Sequence, residues 1–150
     1  MTPTLAGRWQ TRLLLMSTIG VIVTLGIGFF SKNLLNPFVL LFYVTLFGLV
    51  WDIFYNYLQT FRWDRDWPPI FTLLTGIGEA LLLWGLLQMT FIWQLIGLQT
   101  LPGVTPNVNL LPFAIHYFTI WFIAFVLALG PLKIIFLQWR FKGGQWVGGL

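Results

Sequence analysis

Polar residues fall in short breaks between long apolar runs, and the breaks divide the chain into four hydrophobic segments. The first covers residues 13–30, from Leu13 to Phe30, about 27 Å as a helix. Arg8 and Arg12 stand before it, and its exit, Gly28-Phe29-Phe30-Ser31-Lys32, lacks the small-x-small cleavage pattern of a signal peptide. It therefore reads as a retained first helix. The second covers 38–58 and is opened by Asn36-Pro37, a helix-start signal. The third follows Trp67-Pro68-Pro69 and covers 70–96; as one helix it is roughly 40 Å long and is expected to tilt or protrude from the bilayer. The fourth covers 112–138, with Gly130-Pro131 as the expected kink.

These runs are continuously apolar, unlike the alternating segments of about ten residues in a membrane barrel. A helix satisfies its own backbone polarity in lipid. The pattern predicts an all-α integral membrane protein, residues 1–150 forming a single domain built as a bundle of four transmembrane helices. Composition agrees: 58% of residues are hydrophobic and only 8% charged. A soluble domain carries roughly a quarter charged residues, so the lipid bilayer is the expected partner of most of the surface.

The net charge of +4 does not point to nucleic acid, because the eight Lys and Arg residues stand in ones and twos at the edges of the apolar runs. They act better as orientation signals. Arg8 and Arg12 precede the first span, Arg62 and Arg65 lie between the second and third, and Arg140 and Lys142 follow the fourth. Only Lys32 lies on the other side, and the loop from Leu98 to Leu111 is uncharged. The positive-inside rule then places both termini in the cytoplasm. Trp9, Trp63, Trp67, Trp139 and Trp146 cluster at the same edges and are expected to form an interfacial aromatic belt.

Cysteine is absent and histidine occurs once, as His116. Thiolate nucleophiles, iron–sulfur clusters and a His-rich metal site are excluded together. A Ser–His–carboxylate set is disfavoured because His116 is expected near the outer surface, away from the carboxylates. Its first reading is a hydrogen-bonded interfacial residue. Its second is a proton relay or an axial ligand to a haem or chlorophyll-like pigment, which leaves the cofactor unknown.

Asp52 and Glu79 are the groups lipid tolerates least. They lie roughly 10 Å and 13 Å from the cytoplasmic ends of the second and third spans, at similar depth in an antiparallel hairpin. A charge near the bilayer centre costs about 2.5–3.5 kcal/mol on insertion scales, so both are expected to face protein or water, at least one of them protonated. Asp52, Tyr55, Asn56 and Gln59 share one helical stripe, and Thr72, Thr75, Gly76 and Glu79 share another. Two such stripes build a polar seam, and Gly76 and Gly78 let a further helix approach. The seam serves either to lock helix packing or as a proton path, cation path or ligand pocket. Lys133 extends it from the fourth span, either snorkelling to the headgroups or pairing with Asp52 or Glu79.

The loop Arg62-Trp63-Asp64-Arg65-Asp66-Trp67 is the densest polar feature. Its alternating charges suit internal pairing and the start of the next helix. Its two Trp and two Arg are also what interface hot spots contain, so it is the candidate for docking a partner protein.

Trp51-Asp52 followed by Gly76-Ile77-Gly78-Glu79 faintly resembles the paired motifs of intramembrane aspartyl proteases, where Gly-x-Gly precedes the second catalytic aspartate. The resemblance implies a carboxylate dyad formed by Asp52 and Glu79. The chain departs from that pattern in carrying Glu79 at the second position, in its small size and in lacking the family's proline-containing motif, so no family is assigned.

The leading expectation is a non-catalytic accessory or assembly subunit of a larger membrane protein complex, docking through its helices and the cytoplasmic 60–69 loop. The alternative is a small homo-oligomeric proton- or cation-coupled transporter or channel using Asp52 and Glu79. A third reading is a membrane enzyme acting on a lipid or quinone. A bacterial plasma membrane or an internal, thylakoid-type membrane is the expected location.

Overall fold

A computed structural model describes residues 4–98, 101–104 and 108–147, the side chains of 90–92 and 140 excepted. Arg140 as an orientation signal, and residues 99–100 and 105–107 of the uncharged loop, lie outside that description. The described residues are helical, without strands, and four helices are long and apolar enough to cross a membrane: Leu5–Ser31, Leu35–Thr60, Pro69–Gln88 and Leu110–Ile135.

The first of these begins two turns earlier than the apolar run predicts. Thr4 caps it, its hydroxyl accepting from Gly7 N at 3.1 Å, so Arg8 and Arg12 lie inside the helix α1 (Leu5–Leu15). A π-helical turn, Met16–Gly20, joins α1 to α2 (Val21–Ser31). Thr18 Oγ1 donates to Leu14 O at 2.6 Å, a side-chain bond to the carbonyl four residues back that opens the backbone ladder there. The helix stops at Lys32, which adopts a left-handed conformation (φ 54°) while Asn33 N bonds to Gly28 O.

The second span is α3 (Leu35–Thr60), and the third is α4 (Pro69–Gln88), entered through extended Pro68 with Pro69 in the first turn. The expected 70–96 helix is not continuous. Met89 leaves helical geometry (ψ 58°), and a short α5 (Thr90–Leu95) follows. At twenty residues α4 is about 30 Å long, so it can cross the apolar layer without the predicted excess length.

The fourth span is α6 (Leu110–Leu129) plus α7 (Pro131–Ile135), broken at Gly130 (φ −122°, ψ −77°) where the missing Pro131 N–H interrupts the ladder. A second break at Phe136 leads into α8 (Leu137–Phe141).

The first span packs along α3, α3 meets α4, and α4 lies on α6. The first and fourth spans meet chiefly through the π turn and α2. The centre is occupied by Leu83, Phe113, Tyr117 and Ile120, none more than 3% exposed. Outward faces carry large apolar side chains, Phe29, Phe30, Phe122 and Ile134 among them, as a lipid-facing surface requires. The chain's two ends meet: Thr4 N donates to Gly143 O at 2.9 Å, and Gln10 Oε1 accepts from Trp146 N at 2.6 Å.

Candidate functional site

Asp52 on α3 and Glu79 on α4 are 3% and 9% exposed, and one residue joins them. Arg12 of α1 donates through Nε to Asp52 Oδ2 at 2.8 Å and through Nη2 to Asp52 Oδ1 at 3.0 Å. The same guanidinium donates through Nη1 to Glu79 Oε2 and through Nη2 to Glu79 Oε1, both at 3.2 Å. All four carboxylate oxygens are thus engaged by one planar group, the fork geometry only Arg provides. Gly48 makes the arrangement possible, since a Cβ there would collide with the Arg12 guanidinium.

Two carboxylates against one guanidinium leave an excess negative charge. Arg8 is the next cation, one turn earlier on the same face of α1. Sequence reasoning missed both arginines by reading them as orientation signals only. The available clue was Thr4 as an N-cap, which makes Arg8 and Arg12 an i, i+4 pair on one helix face, together with the demand that two buried acids place on so few cations. The acid dyad implied by the protease resemblance is not formed, because a dyad shares a proton between facing carboxyls. Here a guanidinium stands between them.

The rest of the seam is assembled in part. Tyr55 and Gln59 are buried on the Asp52 face of α3, while Asn56 is half-buried and its side chain makes no hydrogen bond among the described residues. Tyr55 Oη donates to Thr75 O at 3.3 Å, tying α3 to α4, and Tyr117 Oη of α6 donates to Gly76 O at 2.9 Å. Gly76 admits the Trp121 indole of the fourth span, as expected of it; Gly78 faces open space and admits nothing. Thr75 Oγ1 donates to Thr72 O at 3.2 Å, so the Thr75 hydroxyl is satisfied along its own helix. Lys133 is half-buried and makes no ion pair among the described residues; the pairing with Asp52 or Glu79 is not made, since Arg12 already holds both.

The cluster runs on into the loop. Arg8 Nη2 donates to Gln59 Oε1 at 2.8 Å, and Gln59 Nε2 donates to Arg65 O at 2.5 Å. Trp67 turns inward, with Arg8 4.7 Å over its ring and Tyr55 at 5.6 Å between centroids. Arg62 and Asp64 pair at 2.9 Å, holding the Asp64 carboxyl below the usual carboxylate range, and Asp64 Oδ1 also accepts from Asp66 N at 3.2 Å. Asp66 Oδ1 in turn accepts from Trp67 N at 2.9 Å. Trp63 alone of the loop's aromatic pair stands clear, 96% exposed.

The aromatic belt is correspondingly smaller than predicted. Trp139 is 6% exposed and donates to Thr11 Oγ1 at 2.8 Å, and Trp146 packs on Phe136 and Trp139. Trp9 and Trp63 remain outward.

A cleft of about 470 Å³ opens over the cluster, reaching Arg12, Asp52 and Glu79 at its polar side and Trp121, Phe125 and Leu129 at its apolar side. His116, expected at an interface, is instead 2% exposed between α2 and α6, its Nε2 sharing a 2.9 Å hydrogen bond with Thr24 Oγ1. Among the described residues no three His, Cys, Asp or Glu side chains converge as a metal site would need. Compared with known proteins, the chain matches no family model, no curated protein and no solved structure.

Proposed function

We propose that this chain is an accessory or assembly subunit of a larger membrane protein complex, held in the bilayer by its four apolar helices and docking through the 60–69 loop. The observation that carries the reading is Trp63, 96% exposed on a loop whose other tryptophan is stacked under Arg8 and whose Arg62, Asp64 and Asp66 side chains are engaged. The Arg62–Asp64 pair, the Gln59 bond to Arg65 O and the Arg8–Trp67 stack brace the loop from within. A rigid mount lowers the ordering cost of binding, and an indole that fills a partner's apolar pocket is the usual hot-spot anchor. Neighbouring Tyr57 and Phe61, also exposed, broaden the patch.

On this reading the loop and both termini lie in the cytoplasm, by the distribution of Arg and Lys. The meeting of the chain's ends supports their lying on one side. The membrane is a bacterial plasma membrane or an internal, thylakoid-type one. A second reading, a homo-oligomeric proton- or cation-coupled transporter, draws on the cleft that reaches Asp52 and Glu79. Against it stands the engagement of every oxygen of both groups by Arg12, because a carrier carboxylate must release its partner in each cycle.

The test is native mass spectrometry of the tagged chain, extracted from its own membrane in mild detergent. One stoichiometric larger assembly is expected, cross-linked through Arg62–Trp67. Trp63→Ala should weaken that association about thirtyfold without altering the isolated chain's thermal stability. A clean homo-oligomer lacking any partner overturns the subunit reading, and loss of ion flux in Asp52→Asn or Glu79→Gln at normal yield replaces it with the transporter.

A further inference from the structure

The cleft holds one cationic side chain without an ion-pair partner among the described residues, Lys133, and a second, Arg8, with one donor left over. Lys133 lines it without an ion-pair partner. Arg8 lines it too, and its Nε is buried with no acceptor, although Nη2 is bound to Gln59. The acids beside them are already engaged: Asp52 and Glu79 by Arg12, and Asp66 by Trp67 N among its contacts. Lys and Arg side chains are donors only, so what completes them must be an acceptor, and an anionic one matches their charge. Away from these groups the wall is apolar, with Trp121, Phe125, Ala128 and Leu129. The cavity's size lies within the range of small-ligand sites, about 300–1,000 Å³.

We propose that this cleft binds one anionic phospholipid, its phosphate headgroup taken by Lys133 and Arg8 and an acyl chain laid along Trp121, Phe125 and Leu129. Basic pockets between spans, near the end where a chain gathers its Lys and Arg, recognise anionic headgroups in this way. The break at Gly130 serves the site, since α7 carries Lys133 on an element separated from the axis of α6. The lipid cements the fourth span to the first where the two make few direct contacts. Lipid binding here does not require the docking loop's partner, although Arg8, Asp66 and Trp67 belong both to the cleft wall and to the base of the loop.

The full chain, delipidated in a neutral detergent, is titrated with phosphatidylglycerol or phosphatidylcholine of identical acyl chains and read by native mass spectrometry. One phosphatidylglycerol is expected per chain, held at least about fivefold more tightly than phosphatidylcholine. Lys133→Met should erase that preference. Lys142→Met, an equal charge change at an exposed residue outside the cleft, should leave it intact. Ala128→Phe, which fills the apolar wall without touching a charge, should weaken both lipids. Equal affinity for the two lipids overturns the proposal, as does a preference that survives Lys133→Met or falls equally with Lys142→Met. Two chains joined across the cleft, with no lipid retained, also overturns it.

Discussion

A guanidinium buried beside two carboxylates is stable only if its geometry compensates for the lost hydration, and Arg12 meets that condition with four hydrogen bonds. Removing it leaves two buried anions unpartnered. Arg12→Met is therefore expected to lower stability by about 3–5 kcal/mol, measured as unfolding in mixed micelles. Adding Asp52→Asn and Glu79→Gln to the same chain removes the stranded charges and should restore most of the loss. A triple variant no more stable than Arg12→Met would show that the cluster does not couple these residues. Arg12→Lys should not substitute, because a single ammonium cannot engage four oxygens at once. Asp52 and Glu79 were legible in the sequence as inward-facing at one level, since lipid penalises charge so strongly. Their partner was not legible, because a cation at the edge of an apolar run reads equally well as a topology signal.

At the scale of elements, the apolar pattern identified each long helix but not where it starts or stops. Hydropathy marks where lipid begins, whereas α1 begins at its Thr4 cap, two turns earlier, and α4 ends where Met89 leaves helical geometry inside an unbroken apolar run. The seating of the Arg12 guanidinium against α3 depends on Gly48, so Gly48→Ala should push that group off its carboxylates and lower stability by about 1–3 kcal/mol. An unchanged melting temperature would show that Arg12 can move aside freely. The loop offers a test by pH. Its Asp64 carboxyl titrates below the ordinary value because it accepts from Arg62, so the clamp is present above the usual carboxylate range. It is lost as pH falls through the lowered value, where the protonated group no longer pairs. The Asp66 amide, which donates to Asp64, should accordingly keep its hydrogen-exchange protection from neutral pH down past the usual range and lose it only below. Loss of protection near neutrality would mean that the clamp contributes nothing to the loop.

Over the whole molecule, charge and closure point the same way. Positive residues gather at one end of the helices, and at that end the first and last turns of the chain are bonded to each other. The sequence carried the charge half of this argument; the closure is invisible in it, because the bonds run between residues more than a hundred positions apart, from the Gln10 and Thr11 side chains to backbone carbonyls that any sequence supplies. If the positive-inside rule orients this chain, Thr4, Trp63 and Val147 face the cytoplasm together, and Asn33 at the turn after the first span faces the other side. The absence of native cysteine makes the test direct. Single cysteines at Thr4, Trp63 and Val147 should react with a membrane-impermeant maleimide only in inverted vesicles, and one at Asn33 only in intact cells or right-side-out vesicles. The mirror result, with all four reversed, would preserve the helices and the ion cluster but move the docking loop to the outer face. A split between Thr4 and Val147 would instead break the closure itself, because residues bonded through Gly143 and Gln10 cannot lie on opposite sides of a bilayer.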